Sequence, residues 1–174
     1  LWLSIGIFLK VMGGPDPKQI DGLGGTVSSN NKIVIIYSSR RIDIDVEYLV
    51  AQVVVGEPVV DYSANCGNMT SAVGSFAISQ GMVKANDPIT KVRMLNLNTN
   101  EIIEECVPTK NGIAEEDGNC AIAGTGAELK VNFLNPAGAK TKMLFPTGKA
   151  TDEITVEGLG AISVSIIDIS NVFA

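Results

Sequence analysis

The rhythm of apolar and polar positions changes several times along this chain, and each change predicts an element. The opening Leu1-Trp2-Leu3-Ser4-Ile5-Gly6-Ile7-Phe8-Leu9 is apolar almost throughout and meets Lys10. That is well short of the ~20 residues a membrane span needs, and no basic region precedes it as a signal peptide requires. It reads as an apolar helix entering a domain. Val11 to Asn31 is loop, dense in turn residues at Gly13-Gly14-Pro15-Asp16-Pro17. Lys32 to Tyr37 is then an unbroken β-branched run, the pattern of a strand covered on both faces. Tyr48 to Val55 and Val59 to Tyr62 are further strands, parted by Gly56-Glu57-Pro58. Lys91 to Asn98 alternates and pairs with Ile102 to Pro108 through Asn98-Thr99-Asn100. Lys110-Asn111-Gly112 is a hairpin signal. Glu128 to Leu134 alternates cleanly, and Glu153 to Val156 and Ala161 to Asp168 are strands joined across Gly158-Leu159-Gly160.

One stretch breaks this β texture. From Thr70 to Gly81 there is no charged residue, and Ala, Val, Phe and Ile spread around a helical wheel. This predicts a helix buried on most sides, with Asn68 or Thr70 as its N-cap and Gly81 as a left-handed C-terminal cap. Many short strands with two helices make an α+β fold: a curved mixed sheet wrapped, barrel-like, around a central buried helix. Residues 1–174 read as a single domain without repeats or linkers.

Composition narrows the function more than the fold. Apolar content of 45% and a mean hydropathy of +0.25 fit a compact protein. Net charge −6 with no basic block argues against a nucleic-acid surface, which needs clustered Lys and Arg. The chain has no histidine, which removes Ser-His-Asp and Cys-His catalysis and most zinc sites. Its three cysteines, Cys66, Cys106 and Cys120, have no metal-like spacing and fit a reduced, cytoplasmic setting.

Two segments carry candidate chemistry. Gln19-Ile20-Asp21-Gly22-Leu23-Gly24-Gly25-Thr26-Val27-Ser28-Ser29 combines glycines, which let backbone approach a ligand, with three hydroxyls. It is neither a P-loop nor a dinucleotide turn, and taken alone it reads better as a ligand-free surface loop. Asp61-Tyr62-Ser63-Ala64-Asn65-Cys66-Gly67-Asn68-Met69 is a polar turn with a thiol at its centre, leading into the helix. Free N–H groups at a helix start attract an anion and favour a thiolate. The plain alternative is a buried cysteine beside a tight turn.

Those residues, with Lys18 to Gly25, Val27-Ser28-Ser29, Ser71-Ala72-Val73-Gly74 and Phe145-Pro146-Thr147-Gly148, resemble the PrpF family, which includes 2-methylaconitate cis–trans isomerase and 3-methylitaconate Δ-isomerase. The resemblance covers almost the whole chain and is most specific around Cys66. It implies one half of a diaminopimelate epimerase-like two-domain fold, with the active site between the domains. It further implies a cofactor-independent, metal-free isomerase that moves a proton across an allylic system in a small di- or tricarboxylic acid. By the same resemblance Cys66 is the acid/base candidate, or at least a contact to substrate, and Gly24, Gly25, Ser28, Ser29, Asn65, Gly67, Asn68 and Met69 contact substrate. The chain corresponds to most of the N-terminal domain. The family's catalytic lysine is expected in a Gly-Gly-Thr-Ser-Lys-Gly motif upstream of Leu1, and the second domain lies beyond the chain. Lys149 stands where the family has Asn, and Ser75 where it has Pro. The expected partners are a small polycarboxylate and, through the open domain face, a second copy of the chain; neither nucleic acid nor membrane is expected. The competing readings are a non-catalytic carboxylate-binding relative and a truncated structural module.

Overall fold

A computed structural model describes residues 2–118 and 125–174, so Cys120 lies outside the described residues. Its organising strand is β2 (Val46–Val53), buried on one face through Val46, Tyr48 and Val50 and on the other through Ala51 and Val53. β1 (Lys32–Ser38) pairs antiparallel with it, Val34 opposite Val50 and Ile36 opposite Tyr48. The sequence assigns two-sided cover to β1, but the structure gives it to β2. β1 stands at the end of the strand order, where fewer neighbours cover it, and Lys32 to Ile36 all stay partly exposed.

The other edge of β2 is shared by two strands. The two-residue β3 (Val60–Asp61) pairs antiparallel with Gln52 and Val53, and β4 (Ile89–Asn96) runs parallel beside Val46 to Tyr48. A parallel pair needs a crossover. Here the crossover carries the whole Asp61-to-Gly81 stretch over one face of the sheet. β5 (Glu101–Lys110), β6 (Ile113–Ala114) and β7 (Lys130–Phe133) complete a seven-stranded mixed sheet. The Asn111-Gly112 hairpin forms as expected, both residues at positive φ (55° and 82°).

The uncharged stretch folds as two short helices, α1 (Gly67–Thr70) and α2 (Val73–Ser79), separated at Ser71 and Ala72. On α2, Val73, Ala77 and Ile78 pack with Val46, Tyr48, Val50, Val92, Met94, Ile103 and Val107 of the sheet. Gly81 caps it at φ 68°: its N–H reaches the Ile78 carbonyl and the Met82 N–H reaches Ala77. The helix is not buried on most sides, however. Ala72, Ser79 and Gln80 are exposed, and Phe76 keeps 49% of its surface, so one side rests on the sheet and the other is open.

An N-terminal helix, αN (Trp2–Met12), packs against β2 and β3 from the opposite face, where Gly14 lies against Leu9 and Val53. At the C-terminus β8 (Asp152–Val156) and β9 (Gly160–Val164) form a separate hairpin. Ala161 to Asp168 is not one strand. The chain leaves β9 after Val164 and begins β10 (Ile167–Ile169), which pairs with β11 (Asn171–Phe173) across Ser170. Asp168 is thereby turned inward and has no accessible surface.

Candidate functional site

The Cys66 turn is built from the sheet upward. After β3 the chain would lose its ladder partner, and the Asn98 carboxamide replaces it. The amide accepts from the Val50 N–H (2.8 Å) and donates to the carbonyls of Val50 and Tyr62, both at 2.8 Å. Beyond Tyr62 the backbone leaves the sheet, and Asp61 steadies the bend by accepting from the Ser63 N–H (2.7 Å) and hydroxyl (3.0 Å).

Asn65 is the pivot. It is 7% exposed, and its Oδ1 accepts from Asn96 Nδ2 at 2.9 Å and from the Cys66 N–H at 2.8 Å. The buried Tyr48 hydroxyl lies 2.8 Å from Thr70 Oγ1, which lies 2.9 Å from the Cys66 carbonyl. Burial pushes the Tyr48 hydroxyl up, so it serves as a neutral donor, although bonds to Thr70, Asn96 and Asn65 pull the other way. The orientation of Asn96 is fixed by two donors on its Oδ1, the N–H groups of Asn98 (2.8 Å) and Thr99 (2.9 Å). Asn96 must therefore present its NH2 to Asn65, which in turn must present its oxygen to Asn96. The Nδ2 of Asn65 is left without a partner among the described residues.

Cys66, half-buried against the core, is the N-cap residue of α1 and makes no side-chain cap bond. The first bond of that turn runs from the Thr70 N–H to the Cys66 carbonyl (2.9 Å). The N–H groups of Gly67, Asn68 and Met69 consequently have no protein acceptor among the described residues. Gly67 is exposed, and an added Cβ there would meet nothing within 4 Å. The structure thus gathers a thiol, the unpaired NH2 of a carboxamide and three free N–H donors in five consecutive residues.

A further group enters by strand register. Lys32, Gln52 and Asp61 stand opposite one another across β1, β2 and β3. Alternation puts them on the same face as Val34, Val50 and Tyr48, the face the Cys66 turn crosses. At about 4.8 Å per strand, Lys32 lies about 10 Å from Asp61 along this row. Its Nζ donates to the Ser28 carbonyl at 3.1 Å. Sequence reading passed over Lys32. The available signal was a cation opening a β-branched strand directly after a Ser-Ser-Asn-Asn loop.

Ser28 and Ser29 lie exposed in the one-turn 3-10 segment Ser28–Asn30 before β1, linked to Lys32 by that bond. Gly24 and Gly25 are held elsewhere, at the end of αN. The Gly24 N–H donates to Met12, and the buried Asn31 carboxamide binds both the N–H (3.1 Å) and the carbonyl (2.6 Å) of Gly25. A Cβ on Gly24 would fall 2.2 Å from Asn31 Oδ1, so packing alone requires that glycine. Among the described residues no cluster of three acidic, histidine or cysteine side chains is arranged to hold a metal, and no helix is long and apolar enough to cross a membrane.

One buried acid lies beneath the helices rather than in the turn. Glu105 has no accessible surface, accepts the Gly74 N–H at 2.8 Å through Oε2, and leaves Oε1 unpartnered. Burial pushes its carboxyl up to about 7, against the opposing effect of the Gly74 bond.

Comparison with known proteins identifies the family. Residues 5–173 match the model of the PrpF protein family. The 4-oxalomesaconate tautomerase of Pseudomonas putida is 46% identical over 165 residues, covering 93% of this chain and 44% of that protein. The 2-methyl-aconitate isomerase of Shewanella oneidensis is 39% identical over 174 residues, again 93% and 44%. The crystal structure of methylitaconate-delta-isomerase superposes with a TM-score of 0.81 at 40% identity, over 98% of this chain and 45% of that one. A probable proline racemase of Agrobacterium radiobacter, solved with bound carbonate, shares the fold alone (TM-score 0.51, 13% identity, 91% of this chain and 35% of that one). The chain spans less than half the length of the relatives it matches. With its family model matched from residue 5 to residue 173, the chain belongs to the PrpF family.

Proposed function

We propose that this chain supplies one wall of a cofactor-independent isomerase that transfers an allylic proton in a small di- or tricarboxylic acid such as 2-methylaconitate. The observation that carries the reading is the juxtaposition of the Cys66 thiol with the unpaired N–H groups of Gly67, Asn68 and Met69 and the unpaired Asn65 Nδ2. Removing a proton from carbon beside a carboxylate drives negative charge into that carboxylate. Fixed donors aimed at its oxygens stabilise the developing charge, and a base is needed at the carbon. In this reading the N–H groups and Asn65 hold one carboxylate, and Cys66 gives or takes the proton. Lys32, on the same face, supplies a cation for a second carboxylate or the partner base, so a lysine for the site need not come from upstream of Leu1. Ser28 and Ser29 extend the polar rim beside it.

The relatives extend well beyond the matched region. We place their remaining half over the open side of α2, where Phe76 is 49% exposed. That arrangement would make α2 the central helix of a diaminopimelate epimerase-like domain, with the substrate between two halves. An isolated chain would then self-associate through this face. The free thiols of Cys66 and Cys106 agree with a reducing, cytoplasmic setting.

Proton NMR in D2O tests the reaction directly. Incubation with 2-methylaconitate or 3-methylitaconate should place deuterium at the allylic carbon, and Cys66→Ala should slow this at least ~100-fold. Exchange in the variant at the parent rate would overturn the role of Cys66. No exchange with any of these acids, in a chain joined to its second half, would overturn the isomerase reading.

A further inference from the structure

Two side chains from the C-terminal segment reach the Cys66 turn across 77 and 106 positions of sequence. We infer that Lys140 and Asn171 are positioning residues that set where the Asn65–Cys66 turn lies. What the turn is held for rests on the isomerase reading above; that it is held does not.

The turn cannot hold itself. Ser63 and Ala64 are exposed, and the helix that follows is a single turn, too short to be stable alone. Asn65 is buried, so its own N–H and carbonyl need partners, and its side chain is already committed to Asn96 and Cys66. Asn171 supplies both partners. Its Oδ1 accepts the Asn65 N–H and its Nδ2 donates to the Asn65 carbonyl, each at 3.3 Å, as a neighbouring strand would.

Two residues earlier in the turn, the Lys140 ammonium donates to the Ser63 carbonyl, and it also lies 3.4 Å from the Asn98 carbonyl. Lys140 is itself anchored. The buried Asp168 Oδ2 accepts from the N–H groups of Lys140 (2.9 Å) and Thr141 (2.6 Å) and from the Thr141 hydroxyl (2.8 Å). Between Asp168 and Asn171 lies Ser170, at φ 59°, where a non-glycine residue is uncommon. Its hydroxyl donates to Glu101 at 2.8–2.9 Å, and Glu101 also accepts from Thr99, the residue whose N–H orients Asn96. One short C-terminal segment thus grips the backbone of the turn and the far end of the amide chain that fixes Asn65. Each of these groups bonds to the backbone of the turn or to a residue that supports it, so the effect inferred for them passes through the turn.

The test is alkylation of the full chain by iodoacetamide without any added acid, with Cys66 and Cys106 read separately by mass spectrometry. Cys106, on the opposite face of β5, is the internal reference. Losing one net hydrogen bond should open the turn about fivefold more often. Lys140→Met and Asn171→Ala should each raise the Cys66 rate about fivefold with Cys106 unchanged, and Lys140→Arg should restore it. Amide exchange over residues 63–69 should quicken in step. An unchanged Cys66-to-Cys106 ratio would overturn the inference, as would a parallel rise at both cysteines, which reports general loosening. If Asn171→Ala does not fold, the Lys140→Met and Lys140→Arg pair decides alone. Labelling requires no turnover, so failure of the isomerase reading leaves this result interpretable.

Discussion

Replacing Glu105 by Gln should reshape the dependence of stability on pH. The carboxyl sits among Ile103, Val107 and Val92 of the sheet, beneath Val73 and Ala77, with a single hydrogen bond. Its ordinary value is 4.5, and burial raises it to about 7 in the folded protein. Between those values the folded state keeps a proton that the unfolded state has released. Stability therefore falls as pH rises from 4.5 to about 7 and levels off above. A difference of ~2.5 units at 1.36 kcal/mol each is on the order of 3 kcal/mol. Glu105→Gln can still accept the Gly74 N–H but has no proton to lose. Its unpaired amide NH2 costs about 1–3 kcal/mol at every pH. The variant should thus be the less stable protein near pH 5 and should gain on the parent as pH rises, drawing level or passing it by pH 8. Urea unfolding at half-unit steps from pH 5 to pH 8 measures the difference between the two proteins, which cancels every other titrating group. Parallel curves across that window would refute the reasoning, because they would mean that Glu105 ionises alike in both states.

Two glycines of the same helical stretch should respond in opposite ways. An added Cβ at Gly74 would lie 2.6 Å from Glu105 Oε2 and 3.0 Å from Val107 Cγ2, so Gly74→Ala should cost about 1–3 kcal/mol in urea unfolding; unchanged stability would show that the Glu105 contact yields freely. Gly67→Ala meets nothing within 4 Å, so its melting temperature should hold or rise. In the proposed carboxylate site the added methyl would crowd a bound acid, so titration calorimetry should show about tenfold weaker trans-aconitate binding, while equal affinity would remove Gly67 from that proposed site.

Much of this fold is legible because its signals are local. Alternation from Lys91 onward marks β4 and β5, Asn111-Gly112 marks the hairpin and Gly81 marks the end of α2. The Cys66 turn also stands out locally, as polar residues between a strand and an uncharged helix. What escaped depends on who neighbours whom. Two-sided burial fell on β2 rather than the more apolar β1 because strand order, not composition, decides which strand lies inside. Asn98-Thr99-Asn100 reads as a turn, and nothing within it shows that Asn98 fills a gap in the ladder while its neighbour Asn96 orients Asn65. Lys140 and Asn171 carry no local pattern at all. Glu105 left a trace, an acid at an inward position between Ile103 and Val107, which the alternation of β5 makes visible once its register is known.

The break at Ser71 and Ala72 explains how one stretch serves both core and site. Both residues keep near-helical torsions (φ −66° and ψ −11°; φ −92° and ψ −12°), yet the regular helix is interrupted there. α2 is fixed from below by its apolar contacts and by Glu105 on Gly74, which are interactions of the core. α1 is fixed from its start, where Asn65 gathers Asn96, Thr70 and Asn171, which are polar and geometrically exacting. A single continuous helix would tie the direction of the Cys66 turn to the packing of Val73 and Ala77, and each change in the core would move the thiol. With the axis interrupted, the amide network together with Lys140 aims the free N–H groups. Asn65, Asn96, Asn98 and Asn171 suit that task because a carboxamide both donates and accepts in fixed directions and carries no charge to compete with the carboxylate proposed to bind there.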